Sequence, residues 1–229
     1  MMPRVAVTGA LALAGCSAGA PLSALHPAAS GSQAIATLWW GLLAGAGVVM
    51  LVVGILLVMG YRRAPTPSAA PSHGDAEGRV WTQGWGLGFG VPVVLAALVA
   101  GMVLGERLLP RGEAAATIEA VASQWRWRFA VADAPGTATD GTMHIPAGVP
   151  VDVRIRSEDV IHGLWIPRLA GKLDAIPGYV NTLRLDAVEA GEYEAICAEY
   201  CGVGHRGHRF RVVAHEPEHW RRWLAGERR

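Results

Sequence analysis

The sequence predicts a two-helix transmembrane hairpin followed by an all-β sandwich. Two long runs without a charged residue lie in the first half of the chain, at about 34–60 and 80–105. From residue 114 onward, apolar and polar residues alternate in short segments, and turn-forming residues separate those segments. The composition agrees. Of 229 residues, 52% are hydrophobic and only 17% charged, a balance too apolar for an ordinary soluble domain. The formal net charge of +1 gives no broad basic field, so no nucleic-acid partner is expected.

Residues 1–15 read as a lipoprotein-type signal peptide. Arg4 supplies the positive start, and a short apolar core follows that cannot span a bilayer as a helix. Leu13-Ala14-Gly15-Cys16 resembles a lipobox, which makes Cys16 the lipidated N-terminus of the mature chain, anchored in membrane lipid.

Residues 16–110 then hold an N-terminal segment and the hairpin. Trp39 and Trp40 mark one interface of the first helix, and Tyr61, Arg62 and Arg63 mark the other. Pro92 lies inside the second run, where membrane helices tolerate it. Arg62, Arg63 and Arg79 flank the intervening loop, so that loop is expected in the cytoplasm and both chain ends outside it. The expected location is a bacterial inner membrane, with residues 111–229 forming a periplasmic domain. Strands are expected around Ile118, Trp127, Val153, Leu183 and Val212, with turns at 133–141, 146–150, 177–178 and 190–191. A short surface helix is expected at 217–226.

The chemistry concentrates in Cys197-Ala198-Glu199-Tyr200-Cys201-Gly202-Val203-Gly204-His205, with a further imidazole upstream in Asp159-Val160-Ile161-His162. One tight loop can aim two soft sulfurs and an imidazole at a single point. Such donors suit copper or zinc, not calcium or magnesium. A Cys197–Cys201 disulfide and a structural zinc are the competing readings of the same residues.

Cys-x3-Cys-x3-His with an upstream Asp-Val-x-His resembles the binuclear copper site, CuA, of subunit II of cytochrome c oxidases. Further blocks carry the same resemblance: Gln124-Trp125-Arg126-Trp127, Glu158 to His162, Trp165-Ile166-Pro167, and Lys172 to Gly178. The resemblance implies a cupredoxin-like sandwich and copper ligands at His162, Cys197, Cys201 and His205, with the Glu199 carbonyl as a weak ligand. It further implies that Trp125 takes electrons from cytochrome c, that Asp159 belongs to the surface binding that partner, and that the Glu199 carboxylate reaches a magnesium ion shared with subunit I. Oxidase subunit I and the other oxidase subunits are the implied partners, and oxygen reduction takes place on subunit I, so no catalytic residue is expected here. His208 departs from the family, which has methionine at that place. It is expected to contact copper in its stead; the alternatives are a copper with no strong axial ligand and a His208 that merely points to solvent. Two neighbouring functions share parts of the pattern: an electron-accepting subunit of a CuA-type nitric oxide reductase, and a quinol-oxidase-like subunit II, which lacks the cysteine ligands.

Overall fold

A computed structural model describes residues 20–63, 79–186 and 188–227. The signal peptide, Cys16 and the expected cytoplasmic loop at 64–78 lie outside the described residues. The described chain divides into two units. Residues 37–109 form one, and the β domain from residue 110, together with the residues up to Ala36, forms the other.

Helix α1 spans Ser30–Arg62, and α2 spans Val80–Arg107, with a π-helical opening over Val80–Leu87. Both are longer than their apolar runs. At 1.5 Å per residue, the 33 residues of α1 cover about 50 Å, more than the roughly 30 Å hydrocarbon core of a bilayer. Arg62 and Arg107 close the last turns, where cations complement the helix dipole. Most apolar side chains of both runs are exposed, the arrangement that helices facing lipid require, while Ala36 at the start of α1 is buried.

The β unit is a sandwich of two five-stranded sheets. Its strands are β1 (Ala116–Ser123), β2 (Arg126–Val131), β3 (Ala134–Asp140), β4 (Thr142–Pro146), β5 (Val151–Ser157), β6 (His162–Trp165), β7 (Leu173–Ala175), β8 (Asn181–Leu185), β9 (Gly191–Cys197) and β10 (Arg209–His215). One sheet has the order β3-β2-β1-β5-β8, the other β4-β10-β9-β6-β7. The β1/β5 and β4/β10 pairs are parallel and the remaining pairs antiparallel.

Period-2 patterning decides which face is buried. On β5, Val151, Val153 and Ile155 face inward and Arg154 and Arg156 outward. On β2, Trp127, Phe129 and Val131 enter the core while Arg126 and Arg128 leave it. Each such buried side chain contributes roughly 1.5–3 kcal/mol relative to exposure.

Helix α3 (Pro217–Leu224) starts with Pro at its first position and lays Trp223 against the sandwich. One expected turn is more structured than its composition suggests: 133–141 contains the edge strand β3. Ala, Gly and Thr give it no apolar alternation. It is held by pairing to β2 and by Thr137, whose hydroxyl accepts the Val131 N–H at 2.9 Å.

Candidate metal centre

Two sheet ladders converge on the loop between β9 and β10. β9 ends at Cys197, whose N–H donates to the His208 carbonyl at 2.9 Å, so the loop leaves and returns through adjacent positions. Between them a 3-10 turn at His205–Gly207 carries the chain back into β10. β6 lies alongside, and the Ala198 N–H donates to the Gly163 carbonyl at 2.8 Å. A Cβ on Gly163 would meet the backbone of Ala198 and Glu199 at 3.1 Å, so a larger residue there would push β6 and the ligand loop apart by a few tenths of an ångström.

The side chains meet in a buried cluster. The ligand atoms of His162, Cys197, Cys201 and His208 all lie within 4.8 Å of one another. The two sulfurs are 3.8 Å apart and both cysteines are free, so no disulfide joins them. His162 Nδ1 is 4.0 Å from Cys197 Sγ, and His205 Nδ1 is 3.7 Å from Cys201 Sγ. The Glu199 carbonyl oxygen is 3.2 Å from Cys197 Sγ.

His208 is not a solvent residue: it is 1% exposed, with Nδ1 3.6 Å from Cys201 Sγ. The cause is strand alternation. His208, Phe210, Val212 and Ala214 point inward while Arg209 and Arg211 point out. Trp127 forms the wall behind the cluster, with its ring 5.5 Å from His208 and 6.2 Å from His162.

Asp159 is spent inward. Its carboxylate accepts from His162 Nε2 at 2.8 Å and from the Gln124 and Val160 N–H groups at 2.7 Å each. Burial pushes this carboxyl up, but those donors outweigh burial and hold it at about 2. The ionised carboxylate fixes the proton of His162 on Nε2 and leaves Nδ1 with a free lone pair facing the sulfurs.

Burial disfavours the charged forms of Cys201 and His208. Burial, then the neighbouring Cys197, push the Cys201 thiol up to about 12. Burial and His162 push His208 down to about 4. Two thiols and three imidazoles converge here, and a soft or borderline metal is the kind of cation such donors hold. The donor set fits copper or zinc.

Trp125 sits just outside β2, 41% exposed. Its indole N–H donates to the Cys201 carbonyl at 3.2 Å, and Gln124 Nε2 donates to the same oxygen at 2.8 Å. The indole lies flat on Gly204, where a Cβ would fall 2.3 Å from Trp125 Cδ2. The Glu199 carboxylate turns away from the sulfurs and pairs with Lys172 Nζ at 3.1 Å.

Gln124, Trp127 and Gly163 are site neighbours that sequence reasoning assigned no role in the centre. The alternation of β2 already put Trp127 on the inner face beside Trp125. Gln124 lay within a block resembling the family, but neither its bond to the Cys201 carbonyl nor the close approach at Gly163 leaves a mark on residue order, since both are made across strands.

The family described as cytochrome c oxidase subunit II, periplasmic domain, matches residues 136–214, which include every residue of the cluster. The cytochrome c oxidase subunit 2 of Thermostichus vulcanus is 38% identical over 106 residues, 46% of this chain and 32% of that protein. That of Alkalihalophilus pseudofirmus is 28% identical over 223 residues, 94% of this chain and 65% of that protein. The cytochrome bo(3) ubiquinol oxidase subunit 2 of Pseudomonas putida is 36% identical over 108 residues, 47% of this chain and 34% of that protein. The chain thus spans between about a third and two thirds of the length of these relatives. With the sandwich and the His/Cys cluster in place, residues 136–214 match the periplasmic domain of the cytochrome c oxidase subunit II family, and the match takes in the whole cluster.

Proposed function

We propose that this chain is the electron-accepting subunit of a haem–copper oxidase, receiving electrons from cytochrome c at a binuclear copper centre so that subunit I can reduce oxygen to water. The observation that supports this reading best is the buried convergence of His162, Cys197, Cys201 and His208, with His205 beside Cys201. When bound, copper supplies reversible one-electron chemistry.

The residues of this chain divide the remaining work. Cys197 and Cys201 offer the two thiolates, His162 and His205 one imidazole each, and His208 and the Glu199 carbonyl the weaker donors. Asp159 orients His162, and the packed ring of Trp127 keeps water out. Trp125 joins the ligand loop to the surface through its bond to the Cys201 carbonyl. The Glu199 carboxylate offers hard oxygen to a magnesium ion shared with subunit I, in exchange for Lys172. In this reading the two helices and a lipid on Cys16 hold the chain in a bacterial inner membrane, with the sandwich in the periplasm.

The likeness to a ubiquinol oxidase subunit favours a second reading, in which the domain is a structural module. The two free, buried cysteines weigh against it, because such a module has no use for a paired thiolate site.

The test is copper loading of the purified full chain. Two copper ions per chain, with a mixed-valence resonance shared over both nuclei, are expected, and Cys197→Ser or Cys201→Ser abolishes that signal. A zinc-only protein from copper-replete cells would overturn the reading. Haem spectra of the native complex, and its turnover with reduced cytochrome c, ubiquinol or nitric oxide, separate the three oxidase and reductase types.

A further inference from the structure

The segments around the ligand loop carry exposed apolar side chains, with arginines next to them in sequence at 126, 206 and 209. Val203 at the loop tip is 90% exposed and Tyr200 is 77% exposed, with Trp125, Val160 and Ile161 beside them. They form one surface. Val203 lies between two glycines that touch Trp125, and the Gln124 N–H reaches Asp159, which precedes Val160. Monomeric proteins rarely leave large apolar side chains grouped like this unless a partner covers them.

The charges around the patch have a definite sign once pairing is taken into account. The Asp159 carboxylate is committed to His162 and two backbone donors. Glu158 is held by Arg128 and by Arg156, and Glu199 by Lys172. The acids are therefore neutralised within the chain. Arg206 and Arg209, on the turn and strand that follow the ligand loop, make no ion pair among the described residues. Arg126 is only 4.0 Å from Asp140 and stays largely exposed.

Resting on the electron-accepting reading above, we infer that this surface docks a soluble redox protein whose contact face is apolar at its centre and rimmed by carboxylates, not by lysines. Apolar contact at Trp125, Tyr200 and Val203 supplies the affinity. Arg206, Arg209 and Arg126 set the sign of the steering field. The acids beside the patch are partly exposed but each is paired with a base or imidazole of this chain, so they offset those partners and leave the unpaired arginines to set the sign within a Debye length of about 8 Å at physiological salt.

The probes are mitochondrial cytochrome c in its native, lysine-rich form and the same protein after succinylation, which turns those ammonium groups into carboxylates. The full-length chain is immobilised in detergent, and association rates with each probe are measured across ionic strength. The succinylated probe is expected to bind faster at low salt and to slow as salt rises, and the native probe to do the reverse. Arg206→Glu with Arg209→Glu should slow the succinylated probe about tenfold at low salt and speed the native one. Faster low-salt binding of the native probe, or salt slopes unmoved by the two reversals, would overturn the inference; the wild-type salt series decides even if the double variant fails to fold. Copper loading is scored separately. A chain that loads copper yet prefers the lysine-rich probe loses only this inference. A chain that prefers the succinylated probe but forms no copper pair loses the electron-accepting role and keeps the surface.

Discussion

At the scale of the residue, the ligand loop contains a matched pair of glycines that separates space from conformation. A Cβ on Gly204 would fall 2.3 Å from Trp125 Cδ2, whereas a Cβ on Gly207 meets nothing within 4 Å. Neither glycine has a positive φ. Gly204→Ala must therefore expel the indole from its seat, at a cost of about 1–3 kcal/mol of overpacking, while Gly207→Ala should change stability by no more than about 0.5 kcal/mol. Denaturant midpoints of the two variants, with Trp fluorescence as the signal, check this. Equal midpoints would show that Trp125 leaves Gly204 without cost. His208 gives a lesson in legibility at the same scale. Its place in the cluster follows from carrying the alternation of Phe210 and Val212 back by two residues. The role of Asp159 as the partner of His162 was not legible, because a carboxylate three residues before an imidazole reads equally well as a surface charge.

At the scale of the element, helix α3 is held by a stack of rings. His144 Nδ1 lies 2.8 Å from His215 Nε2, so one ring donates and the other accepts, and Trp223 stacks on His144 at 4.6 Å. Trp220 packs on Trp223 at 5.2 Å. Burial, and then His219, lower the His215 pKa below its ordinary value near 6.5. The titratable and charged groups of this region are His144, His215, His219, Glu216, Arg222 and, on the exposed face, the Arg221–Glu218 pair. A base whose folded-state pKa is depressed stabilises the fold fully above its unfolded pKa. That contribution is lost as pH falls from about 6.5 toward the folded value. Docking of α3 should therefore loosen below pH 6.5, read as faster amide exchange in 217–224, and His215→Phe should flatten the dependence. Exchange that is level between pH 7.5 and 5.5 in the wild type would show that the histidine pair does not hold the helix. The presence of α3 was legible from Trp220, Trp223 and the preceding Pro217. The edge strand β3 was not, because backbone pairing to a neighbour leaves no mark on a stretch of Ala, Gly and Thr.

At the scale of the whole molecule, the two apolar runs and the alternating half were legible because each obeys a single periodicity. What no periodicity carries is the docking of the segment before α1 onto the sandwich unit. The Ala28 N–H donates to the Arg168 carbonyl at 2.8 Å, the Glu189 N–H to the Ala28 carbonyl at 3.0 Å, and the Ser30 N–H to the Asp186 carbonyl at 3.2 Å. The buried Ser32 hydroxyl is shared between the Ala29 and Arg168 carbonyls at 2.9 and 2.8 Å. The Arg168 side chain donates to the His26 carbonyl at 2.9 Å and covers the Tyr193 ring at 5.2 Å. Ser32→Ala removes this buried donor, at a cost of about 1 kcal/mol, or roughly a fivefold faster opening of the clasp. Amide exchange at Ala28 and Glu189 in the full chain is the measurement. Unchanged protection there would show that the hydroxyl contributes nothing to the docking.

That clasp also imposes an order in time. Its two halves are separated by about 140 residues of chain, and closing so long a loop is slow compared with pairing neighbouring strands. The segment before α1 must wait, unpartnered, until the loops after β6 and β8 have been made. Any fragment cut to begin at β1 never meets its clasp at all and leaves the Arg168 and Asp186 carbonyls to water.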